Sequence, residues 1–157
     1  MATSAVLRPW VPSTAPVILG LTGRLIAALV GAGCLGVLLV AWRLEPSPAG
    51  HGTHTQLGLP ACGWAAVMGH PCPTCGMTTA FAWAVRGRLW ASFLAQPLGM
   101  LLALGTAAGF WAGVYISLTG SQLAAVFGRM VTPRVLWILG ALAGAAWAYK
   151  WITWPGS

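Results

Sequence analysis

Carboxylates are almost missing from this sequence: Glu45 is the sole acidic residue in 157. One chain therefore has no carboxylate pair for acid–base work and no oxygen-rich cage for calcium or magnesium. Charge of either sign is scarce, at 6% of residues, against about a quarter in soluble domains. Too few polar groups exist to clothe a globule in water, so lipid has to cover the surface. The eight basic residues stand singly and give a net charge of +7. They form no stripe that could follow a phosphate backbone, and nucleic acid is not an expected partner.

What is present is mainly apolar, at 58% of residues. A membrane-crossing helix needs about 20 such residues, and three runs meet that length. Residues 17–42 are apolar except for Arg24, whose aliphatic stem can reach toward the headgroups. Residues 97–118 carry no charge, and 135–154 end with Lys150, Trp151 and Trp154, a suitable set for an interface. The competing reading of the first run is a secretory signal peptide; the expectation is that it stays in the chain as a span. Residues 1–16, with Pro9, Pro12 and Pro16, read as a flexible tail, and 17–157 as one membrane domain.

Small residues recur every fourth position in each run: Ala28, Ala32 and Gly36; Gly105, Gly109 and Gly113; Gly140, Gly144 and Ala148. Such stripes let helix backbones approach closely. The expected neighbours are helices of this chain, a second copy, or another membrane protein.

Residues 43–96 join the first two spans. Pro46, Pro48, Gly50 and Gly52 break any helix at the start of this segment. Met77–Val85 and Leu89–Leu94 are helical in pattern but too short to cross, and Pro97 suits the first turn of the next span. The expected fold is all-α: three transmembrane helices plus a short re-entrant or interfacial helix after a Cys/His-rich loop.

That loop holds the chemistry. His51, His54, His70, Cys62, Cys72 and Cys75 all fall within residues 51–75, while Cys34 sits in an apolar run and reads as packing. Three uses are open. In the first, Cys72 and Cys75, two residues apart, share one ion, with Cys62 and either His54 or His70 completing a tetrahedral zinc site; copper and haem take the same side chains. In the second, Cys72 and Cys75 form a redox pair at a helix start, where the helix dipole lowers a thiol pKa, and Cys62 acts as a resolving partner. No thioredoxin-like alternation of strands and helices surrounds that pair. In the third, a Cys62–Cys72 or Cys62–Cys75 disulfide is a plain staple, restraining the unfolded chain by a few kcal/mol. Thr78 and Thr79 read as capping or back-bonding the helix after Gly76, and Arg86 and Arg88 as contacts to lipid phosphates.

Cys62 and the run Cys72-Pro73-Thr74-Cys75-Gly76-Met77-Thr78-Thr79-Ala80, followed by Arg86-Gly87-Arg88-Leu89 and Gln96-Pro97, resemble an uncharacterised bacterial membrane family, domain of unknown function 2752. The resemblance covers about residues 57–104 and implies a small three-span protein with a C-P-x-C-G signature and an upstream cysteine, matched here by Cys62. Thr79 stands where that family usually has arginine, and Gln96 where it has asparagine. With the amino terminus inside, Arg8, Arg24, Arg129 and Arg134 lie on one side of the membrane and Arg43, Arg86, Arg88 and Lys150 on the other, which leaves charge undecided. The family's basic amino terminus implies a bacterial inner membrane with the amino terminus cytoplasmic and the cysteine loop external. The function expected is that of an accessory or scaffold protein docked to a larger membrane complex, its loop locked by metal or disulfide. A thiol–disulfide redox protein is the enzymatic alternative.

Overall fold

The computed structural model describes residues 19–121, 123 and 132–154. The expected flexible tail, and Arg8 and Arg129 of the charge count, lie outside them. Among the described residues all regular structure is helical.

Three helices are long and apolar enough to cross a membrane: α1 (Leu21–Arg43), α5 (Pro97–Thr119) and α6 (Pro133–Ile152). Local chemistry sets their ends. Pro97 and Pro133 start α5 and α6, where a missing N–H costs nothing. Thr132 caps α6 by accepting from the Val135 N–H at 3.4 Å. Gly120 ends α5 in the left-handed region at φ 69°, its N–H reaching the Ile116 carbonyl. The spans correspond to the apolar runs, with ends displaced by a few residues.

Short helices fill the joining segment: a 3-10 turn at Thr53–Leu57, then α2 (Gly63–Met68), α3 (Met77–Ala84) and α4 (Leu89–Ala95). α3 and α4 form a hairpin packed on the start of α5. The Ser92 hydroxyl donates to the Ala80 carbonyl at 2.7 Å, with both groups buried. Arg86 donates to the carbonyls of Ala82 at 2.8 Å and Trp42 at 2.9 Å. It thus satisfies helix-end acceptors within the protein, where lipid phosphate was the expected partner.

α1 and α5 form the main helix pair, and glycine brings them together. A Cβ on Gly113 would lie 2.8 Å from both the Ala27 carbonyl oxygen and Gly31 Cα, and one on Gly109 would meet Cys34 Sγ at 3.3 Å. The contact face of α1 therefore runs through Ala27, Gly31 and Cys34. The anticipated stripe of Ala28, Ala32 and Gly36 is exposed. Every-fourth spacing fits more than one face of a helix, and packing selected the neighbouring one. Arg24 closes the far end of this pair, donating to the carbonyls of Ser117 at 2.8 Å and Leu118 at 2.9 Å.

At Gly105, Gly140 and Gly144 a Cβ would find no described atom within 4 Å, so among the described residues these glycines bring no helices together. Among the described residues, α6 is tied to the rest of the protein by hydrogen bonds from Trp147, Tyr149 and Lys150 in its last two turns.

Gly113→Ala should therefore lower stability by about 1–3 kcal/mol, since backbone rather than a movable side chain must yield. Gly105→Ala should be neutral or slightly stabilising. Thermal unfolding of the purified variants in detergent separates the two.

Candidate functional site

The sequence brings the cysteines together by a tight turn. The Cys75 N–H bonds the Cys72 carbonyl at 3.0 Å and the Met77 N–H bonds that of Thr74 at 3.1 Å. The turn then passes into α3 through Gly76, at φ 88°. No side chain fits there: a Cβ would meet the Gly50 oxygen at 2.5 Å and the Ala95 oxygen at 2.8 Å.

Surrounding elements hold the turn from several sides. Gln96, the residue before α5, is fully buried and donates from Nε2 to the Pro73 carbonyl at 3.1 Å. Trp147 of α6 donates from Nε1 to the Pro71 carbonyl at 3.1 Å. Lys150, a residue only 5% exposed, donates from its ammonium to the carbonyls of Ala95 at 3.0 Å and Gly50 at 3.2 Å. Ala95 closes α4, so its carbonyl belongs to the negative end of that helix. Behind the turn, the hydroxyls of Thr53 and Thr79 share a buried 2.8 Å hydrogen bond. Thr79 thus ties the loop to α3 and does not cap that helix, which begins at Gly76 with no side-chain cap.

A cavity of about 350 Å³ opens on this turn, with His54, Cys62, Cys72, Thr74, Cys75 and Thr79 among its walls. Four of the five candidate ligands therefore share one cavity. The fifth, His70, stacks on Trp151 with ring centroids 4.3 Å apart. His51 lies against Trp154 at 4.6 Å, and burial, then the charges of Lys150 and His54, lower its pKa. His54 Nε2 is 3.2 Å from the Pro60 carbonyl. Among the described residues no three His, Cys, Asp or Glu side chains are grouped closely enough to hold a metal ion, although the soft donor set is the kind that zinc takes.

The sulfurs differ in surroundings. Cys75 is buried, 7% exposed, and Cys62 and Cys72 are partly open. Burial first, then the nearby Cys72 and Cys62 sulfurs, push the Cys75 thiol up to about 11, with Lys150 opposing. For Cys72 partial burial acts upward, but hydrogen bonds from the Thr74 hydroxyl, the Cys62 thiol, the Thr74 backbone and the Cys75 thiol prevail and lower its pKa. The Cys72–Thr74 contact is 3.4 Å. One partly open, acidified thiol thus sits beside one buried thiol that holds its proton.

Residues 62–110 match the family described as Protein of unknown function (DUF2752). Cys62, the cysteine turn, both hairpin helices and the first part of α5 are thus similar to that family, as the motif implies. No curated protein and no solved structure matches the chain.

Sequence reasoning did not assign Gln96, Trp147, Lys150 or Thr53 to this site. Two signals were present: Gln96 departs from the family pattern, and Lys150 is the only lysine of the chain.

Alkylation followed by mass spectrometry should show Cys72 reacting at a pH below the ordinary thiol range. Cys75 should stay protected until near its own value of about 11, because only the thiolate is nucleophilic.

Proposed function

We propose that the chain is a small three-span membrane protein that exchanges thiols and disulfides through Cys72. The observation that carries this reading is the arrangement of sulfurs around one cavity: Cys62, Cys72 and Cys75 all line it, with Cys72 partly exposed and Cys75 buried.

The chemistry balances with a protein disulfide as co-reactant. The Cys72 thiolate attacks one sulfur of that disulfide, and the first partner thiolate leaves. The Cys75 sulfur then attacks Cys72, and its proton goes to the departing second partner thiolate. A Cys72–Cys75 disulfide forms, the partner disulfide is reduced, and two electrons have moved. The reverse direction oxidises a partner dithiol, and the relative reduction potentials set the direction. Cys62 can replace Cys75 in the second step.

A second reading is an accessory or scaffold protein that docks to a larger membrane complex, its loop locked by a Cys62 disulfide or by zinc on Cys62, Cys72, Cys75 and His54. The placement of His54 on the same cavity as the three cysteines favours it. An inner-membrane setting with the loop external suits either reading, since both need an oxidising or metal-supplied compartment.

Cys75→Ser, combined with Cys62→Ser, should leave the Cys72 mixed disulfide unresolved. A partner protein should then accumulate on Cys72, visible as a reducible adduct in non-reducing gels. Cys72→Ser should show none. One tightly held zinc per chain in the purified protein, with all three thiols unreactive, would replace this reading with the locked-loop one.

A further inference from the structure

Lys150 poses a charge problem that thiol chemistry does not use. The residue is 5% exposed, yet no ion pair is found for its ammonium among the described residues. The lone acidic side chain of the sequence, Glu45, is exposed on another part of the loop. Two N–H groups bond the carbonyls of Gly50 and Ala95, and the Trp154 ring centroid lies 6.0 Å from the nitrogen, at the outer reach of a cation–π contact. Two carbonyls and a ring at that distance offset a buried cation only in part, and a buried charge without a counter-ion is costly.

The ammonium borders a second cavity, of about 260 Å³, which shares no wall residue with the cysteine cavity. Pro48, Gly50, Trp83, Leu94 and Thr153 also line it, so the walls mix polar and apolar groups. A second cation stands beside one wall, the Arg88 guanidinium lying 5.0 Å from the Trp83 ring centroid. Lys150 lies in the last turn of α6, at the loop end of that span. At that depth the abundant anions are phosphates, and basic groups near the ends of spans attract them.

We propose that this cavity binds an anionic phosphate group, with Lys150 as its inner contact and Arg88 at its rim. A phosphodiester carries the single negative charge that Lys150 lacks, and the apolar walls accept the glycerol carbons beside it. A lipid headgroup and free phosphate offer the same chemistry.

The test uses full-length, delipidated protein in a neutral detergent at constant ionic strength. Thermal midpoints are followed against dihexanoyl phosphatidylglycerol, inorganic phosphate, dihexanoylglycerol without phosphate, and chloride. A saturable rise with the phosphate compounds, absent with the other two, is expected. A rise with the lipid alone identifies the headgroup as the source, and a rise with inorganic phosphate as well identifies a site open to free phosphate. Lys150→Gln keeps amide donors for both carbonyls but removes the charge, and should weaken binding on the order of tenfold or more. Arg88→Ala leaves the buried contacts intact and should weaken it by a smaller factor, so the test stands even where Lys150→Gln does not fold. No stabilisation of the natural protein by either phosphate compound, or unchanged affinity in Arg88→Ala, overturns the proposal.

Discussion

A buried ammonium joins the third span to both the loop and the hairpin. Lys150 reaches from the last turns of α6 to the loop at Gly50 and to the end of α4 at Ala95. The same two carbonyls crowd Gly76, where no side chain fits. Loop, hairpin and span therefore meet at one bare backbone position, directly after Cys75. In a bilayer apolar side chains gain little by touching each other rather than lipid, so polar ties and close backbone contact specify the fold. The α1–α5 pair uses backbone contact at Gly31 and Gly113. α6 uses hydrogen bonds from Trp147, Tyr149 and Lys150.

This architecture divides the sulfurs. Cys75 faces the packed junction and is desolvated there, and Cys72 remains at the partly open end of the turn, beside Thr74 and Cys62. The division comes from the fold rather than from the motif, because a C-x-x-C turn in water would expose both thiols alike. It gives one sulfur suited to attack and one suited to follow.

The three spans, the helix-starting prolines and the clustering of cysteine and histidine were legible in the sequence because each rests on local chemistry: apolar length, a fixed φ, a spacing of two residues. The choice of contact face on α1 was not. Every-fourth spacing is satisfied by Ala28, Ala32 and Gly36 as well as by the face that packs, and only the partner helix decides between them. His70 was weighed beside His54 as the ligand completing a zinc site, but its ring stacks on Trp151. Arg86 and Lys150 resembled ordinary interface cations, and their carbonyl partners lie far along the chain, where no spacing rule reaches. Gln96 stood out as a departure from a family pattern, but its bond to Pro73 is a tertiary fact.

The central claim is that Cys72 and its two sulfur neighbours form a reversible couple. Equilibrating the purified protein with glutathione buffers of graded potential, then mapping disulfide-linked peptides by mass spectrometry, tests this directly. The account predicts a Cys72 disulfide, to Cys75 or Cys62, that forms and breaks in a single reversible transition. Three thiols unchanged at every potential, or one bond that no buffer reduces, would contradict it.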